Sequence, residues 1–159
     1  MREVVCTLIF LFGSSLAAQT VPTGWQIVKD AGNICQIAVP ADWSLWHDSS
    51  GAAVLHDPSN AIAIVTSQPQ QEFRPLPEAV QKVLEISKES MFENTARRVF
   101  YQDKTSRGPQ DPSGYSVSVP GKSGTCSGHV TFLPGIPQDT ARKIALSLAP
   151  AAAPSAGTN

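Results

Sequence analysis

Three histidines carry the most obvious capacity for chemistry: His47 and His56, each followed directly by aspartate (Asp48 and Asp57), and His129 much later in the chain. A neutral imidazole can ligate a metal or take up a proton, and an adjoining carboxylate can orient it. Zinc ligands come as His and Cys at tight spacing, or as His-Glu-x-x-His on a helix. Neither pattern occurs, so each His-Asp step reads equally well as a turn, and no metal site is expected. Gly124-Thr125-Cys126-Ser127-Gly128 has the form Gly-x-Cys-x-Gly, the cysteine version of a nucleophile elbow. An elbow needs a strand, a sharp turn and then a helix. Here His129 to Leu133 continues as a strand, and Cys35 is available to pair with Cys126. Pro120-Gly121-Lys122-Ser123 has the end of a phosphate-binding loop, but Ser116 stands where the first glycine belongs, and a hairpin turn accounts for it. These motifs assign no catalytic residue and no cofactor. Trp46 and His47 remain as a possible binding surface. Trp46 lies three residues past Trp43 in a loop read over Asp42 to Gly51. Two packed tryptophans are the commoner outcome, whereas an exposed Trp46 beside His47 would contact a ligand or partner.

The elements that must position these residues read mainly as strands. Cys35, Ile37 and Val39 alternate with Gln36 and Ala38, the period of a half-buried strand that ends at Pro40. Trp25 to Lys29 precedes it across an Asp30-Ala31-Gly32-Asn33 turn, which makes a hairpin. Ala52 to His56 and Ala61 to Val65 form another hairpin, and the second strand is apolar enough to be covered on both faces. The Gln- and Pro-rich connector from Ser67 to Pro77 leaves the sheet, and Ser67 to Pro75 is a second candidate surface, although most such loops only connect. From Leu76, the residues Ala79, Val80, Val83, Leu84, Ile86, Ser87 and Met91 fall in one helical stripe, predicting a long amphipathic helix packed on the sheet. Tyr115, Val117 and Val119 alternate with serines, and Cys126, Gly128, Val130 and Phe132 continue the pattern after a Gly121 to Gly124 turn. A last helix over Gln138 to Leu148 presents Ala141, Ile144, Ala145 and Leu148 on one side.

Residues Val4 to Phe12 are apolar apart from Thr7, and small residues follow through Ala18, the pattern of an export signal over 1–18. The run is far short of the roughly 20 residues that span a bilayer as a helix, so no stable membrane anchor is expected. Cys6 leaves with the signal. Two cysteines in an exported chain pair as a disulfide, and Cys35 and Cys126 both point to the apolar side of their strands. They are expected to join two strands of one sheet. Lysine plus arginine nearly balances aspartate plus glutamate, for a net charge of −1, which leaves no basic field for nucleic acid. Pro150 to Asn159 is small, uncharged and interrupted by proline, the composition of a disordered tail.

The order strands, helix, strands, helix, with a strand running into Pro40-Ala41-Asp42-Trp43, resembles the PsbP-like superfamily over residues 24–149. The long helix near Pro77 to Phe92 and the closing helix around Thr140 to Leu148 complete the resemblance. It implies an α+β fold, an α/β/α sandwich with one mostly antiparallel sheet of about six or seven strands flanked by two helices. Members of that superfamily include an extrinsic subunit of photosystem II, a Ran-binding import factor and bacterial envelope proteins. The resemblance carries none of their partner-binding residues onto this chain. Together with the export signal and the lack of any convergent nucleophile, base and oxyanion set, it leads to the expectation of a secreted or periplasmic accessory or binding protein, monomeric and non-catalytic, whose partner is a protein or small ligand of the envelope. The alternative is a small secreted hydrolase or metal-binding enzyme using His47, Asp48 or His129 in a cleft.

Overall fold

Trp25–Lys29 (β1) and Cys35–Pro40 (β2) pair antiparallel across a turn held by Asp30. The Asp30 carboxylate accepts the backbone N–H groups of Ile34 and Cys35 at 2.8 and 2.9 Å. The computed structural model describes residues 21–47, 52–57, 61–87, 90–103, 113–133 and 137–152, with the backbone alone for His47. The export segment 1–18, Asp48 and the stretch 153–159 lie outside the described residues.

Ser44–His47 (β3), Ala53–His56 (β4), Ile62–Gln68 (β5), Met91–Asn94 (β6), Val99–Asp103 (β7), Ser113–Pro120 (β8) and Thr125–Phe132 (β9) form a seven-stranded antiparallel sheet. Its strand order is β3-β4-β5-β9-β8-β7-β6. A short helix, Glu78–Val83 (α1), lies between β5 and β6, and Gln138–Leu146 (α2) follows β9. Ala149–Pro150 (β10) returns to β2 and completes a second, three-stranded sheet in the order β1-β2-β10. The fold is therefore α+β and mostly β, with two sheets where the sequence suggested one.

The reason lies in β2. One edge pairs with β1, and on the other β10 takes Cys35 and Gln36 while the Ser147 hydroxyl takes the Ala38 N–H, so β2 does not join the large sheet. Cys35, Ile37, Ala38 and Val39 are all buried, because β2 packs against β5 and β9 of the large sheet and against α2. The Cys35–Cys126 disulfide (Cα–Cα 5.6 Å) accordingly ties one sheet to the other, not two strands of one sheet. Ser147, just past α2, adds a polar tie to β2. Its hydroxyl accepts the Ala38 N–H at 2.8 Å and sits 2.6 Å from the Ile144 carbonyl oxygen.

Register places Leu55, Ala63, Val65, Val130, Val117 and Phe100 on the face of the large sheet that meets α2 and β2. Ala141, Ile144 and Ala145 of α2 are buried against it, as the stripe in the sequence predicts, and Leu148 joins them. At the β6 end the core becomes aromatic. Phe92, Phe100, Tyr115 and Phe132 form a chain of rings 5.0–5.6 Å apart in successive contacts, and the Arg142 guanidinium lies 4.9 Å from the centre of Phe92.

Other expectations are corrected. The long helix is a six-residue helix with no buried residue. It stops at Leu84, after which Glu85 takes the left-handed conformation (φ 54°), and Met91 and Phe92 serve in β6 instead. As a strand, this segment pairs with β7 and brings Phe92 against Phe100 of the aromatic cluster. Ser44 to His47 is strand β3, not loop. In β5, Ala63 and Val65 are buried but Ile62 and Ile64 are only half-buried, so its outer face is not fully covered. The chain does not become a tail at Pro150: Ala149 and Pro150 pair with β2, and Ala151 is buried.

Candidate functional site

Neighbouring side chains on a strand point to opposite faces, so the register also defines the face turned away from α2. Across it runs the row Trp46, Val54, Ile64, His129, Ser116, Tyr101 and Met91, one residue from each strand. The next row contains Thr66, Ser127, Ser118, Val99 and Asn94. The centre of this face is a field of hydroxyls around one imidazole.

Residues 68–77 cross one end of the face as a strap. The Gln71 carbonyl accepts the Thr125 hydroxyl at 2.7 Å, and the Asn94 side chain closes both the N–H and the carbonyl of Leu76, at 2.8 and 3.0 Å. Gly124 permits the first crossing. It has φ +96°, and a Cβ there would overlap the Gln68 carbonyl oxygen and Pro69. Between strap and sheet lies a cleft of about 380 Å³, walled by Pro75, Leu76 and Val80 and floored by Tyr101, Ser118 and Ser127. A second hollow of about 240 Å³ adjoins it, sharing Tyr101, Ser118 and Ser127 and extending to Ser116, Ile64 and His129.

His129 closes the far end. Its Nδ1 is 2.9 Å from the Ser116 hydroxyl, and the ring leans over Gly114, where a Cβ would come within 2.8 Å of Cε1. Burial pushes the imidazole pKa below its ordinary value, with the Asp103 carboxylate acting in the opposite sense, so the ring is neutral at neutral pH. Ser118 and Ser127 pair with each other at 3.3 Å.

His129 and the connector reach this site, but the other residues singled out from sequence do not. Cys35 and Cys126 are bridged and fully buried in the core, which removes Cys126 as a nucleophile. Trp43 is buried, while Trp46 is 57% exposed with its ring 5.5 Å from that of His56. His47 pairs through its backbone with Ala53 on the edge strand β3, three strands from His129, a distance of about 14 Å at the usual strand spacing. Asp48 lies outside the described residues. Pro120-Gly121-Lys122-Ser123 is the β8–β9 hairpin turn, with the Gly121 N–H bonded to the Gly124 carbonyl at 2.8 Å.

Site residues that sequence reasoning passed over are Tyr101, Ser116, Ser118 and Ser127. Their signal was present in the alternation of Ser116 and Ser118 with valines, and of Ser127 and His129 with core residues. Which outer residues lie side by side depends on register, and the pattern of one strand does not carry it.

These features define an antiparallel sheet covered on one face by a helix and a smaller sheet, and open on the other. No protein-family model and no curated protein matches the chain. Among solved structures, its fold is similar to that in a crystal structure from Bacteroides thetaiotaomicron VPI-5482, with a TM-score of 0.52 at 10% identity. That likeness covers 80% of this chain and 49% of the other, so this chain spans about half the length of the protein it matches. At that identity the likeness is one of fold alone.

Proposed function

We propose that this is an exported, non-catalytic binding protein of the bacterial envelope, PsbP-like in fold, acting as a monomer through the open face of its large sheet on a small ligand or a protein. The observation that carries the proposal is that face: a pre-formed, roofed cleft with convergent polar side chains, the usual form of a ligand site. The disulfide is compatible with an oxidising compartment. No helix among the described residues is long and apolar enough to cross a membrane.

The Ser116–His129 hydrogen bond favours one second reading, a hydrolase using a serine–histidine pair. Its surroundings speak against acyl transfer. Ser116 sits in mid-strand, and β8 is paired on both sides, so neighbouring backbone N–H groups are committed to the ladder and cannot form an oxyanion hole.

Fractionating the producing cell and probing the purified protein tests both readings. The expected result is a chain cleaved after Ala17 or Ala18, recovered outside the cytoplasm, that resists alkylation at Cys126 until reduced. A fluorophosphonate should leave Ser116 unlabelled. Cytoplasmic recovery with free thiols defeats export, and stoichiometric labelling of Ser116 defeats the non-catalytic reading in favour of the hydrolase.

A further inference from the structure

Resting on the reading of the open face as a ligand site, we propose that the cleft under the strap binds a neutral sugar, with a ring packed against Tyr101 and its hydroxyls on Ser118 and Ser127. Four observations lead there. First, the floor belongs to β7, β8 and β9, interior strands whose backbone groups are used in the sheet, so a ligand meets side chains only. Beside Val99, the side chains of Tyr101, Ser118 and Ser127 present hydroxyls, each able to donate and accept, which matches a ligand that is itself rich in hydroxyls. The Ser118–Ser127 contact of 3.3 Å is a loose one, easily exchanged for bonds to a ligand.

Second, the facing wall carries an apolar stretch. Pro75, Leu76 and Val80 present hydrocarbon, and Tyr101 adds an aromatic ring with a polar tip. A pyranose has this two-sided character, with C–H groups on its faces and hydroxyls at its edge. Third, among the described residues the lining carries no spare charge. Glu72 and Arg74 line the cleft but pair with each other, and His129 is held neutral. An anionic ligand would find no unpaired cation among the described lining residues. Fourth, the two hollows run side by side across the strands and share Tyr101, Ser118 and Ser127, which gives room for more than one sugar unit.

Competing ligands fit less well. An alkyl chain would gain nothing from the floor hydroxyls, whose remaining hydrogen-bonding capacity it cannot use. An extended peptide draws its affinity from a free strand edge, and the floor has none.

The test titrates the oxidised, exported protein with a panel of neutral oligosaccharides, and separately with decanoate and a neutral peptide, following backbone amide resonances. One or more of the sugars should shift amides at Tyr101, Ser118 and Ser127. Tyr101→Ala should then weaken that sugar at least tenfold, while Val83→Ser, on the exposed side of α1, should leave it unchanged. If Tyr101→Ala does not fold, Ser118→Val serves the same purpose. Decanoate or the peptide binding in the cleft while every sugar fails overturns the sugar assignment and leaves the open-face reading standing. No shift in the cleft with any probe, or sugar binding that Tyr101→Ala and Ser118→Val both leave intact, overturns the assignment; the former result also removes the open face as the ligand site.

Discussion

His129 shows how one residue's setting depends on another far away in sequence. Gly114, across the β8–β9 ladder, leaves the space that the imidazole fills. The resulting burial lowers the His129 pKa, so the folded protein binds a proton there less readily than the unfolded chain, whose histidine titrates near 6.5. Below about pH 6.5 the unfolded chain therefore holds more protons at this position, and stability falls as the pH drops toward the lower folded pKa. Above pH 6.5 the contribution is constant. Urea unfolding at pH 7.5 and 5.0 should show a larger loss in the wild type than in His129→Gln, because other titrating groups act on both. Equal losses would mean that the imidazole is not desolvated. Gly114→Ala acts on the same pair from the other side. Its methyl would displace the ring and break the Ser116 contact, at an expected cost of about 1–2 kcal/mol in the same measurement.

The two helices differ in what their stripes meet. In α2 the apolar positions Ala141, Ile144 and Ala145 are buried, whereas in α1 Val83 is 81% exposed. Ile144→Ala should therefore cost about 2–4 kcal/mol of unfolding free energy. Val83→Ser should stay within roughly 0.5 kcal/mol of wild type. Comparable losses in the two variants would put α1 in the core. The contrast also explains what could be read from the sequence. Periodicity reports that a helix has an apolar side, not that something covers it, so the same signal predicted α2 well and overstated α1. Strands β8 and β9 were legible because their alternation matches one dry face, and β2, β4 and β5 because they are apolar enough to be buried. Strand β3 was not, since Leu45 and Trp46 are both exposed there and show no alternation of burial. The Ser67 to Pro77 connector was legible as a surface, but its role as a strap was not, because that depends on Asn94 and Thr125, distant residues that pin it.

At the scale of the molecule, the two sheets share one core. Ile37 and Val39 from the small sheet, Leu55, Val65 and Val130 from the large one, and Ile144 from α2 belong to a single buried cluster, with the Cys35–Cys126 bridge inside it. A shared core makes the sheets unfold together, whereas a hairpin held mainly by its disulfide would separate first once the bridge is gone. Closing a loop of about 91 residues is worth roughly 4–5 kcal/mol in the chain-entropy model. The double variant Cys35→Ala/Cys126→Ala should lose about that much, a large fraction of what a domain of this size has. Native-state hydrogen exchange distinguishes the two mechanisms. In the wild type, amides of β2 and β9 should exchange at a common, global free energy, and those of α1 and the strap at a lower one, since α1 has no buried residue. In the double variant, β2 and β9 should fall together by the same amount. If β2 instead drops well below β9, the small sheet is a separable flap that the bridge keeps closed, and the shared cluster contributes less than its burial implies.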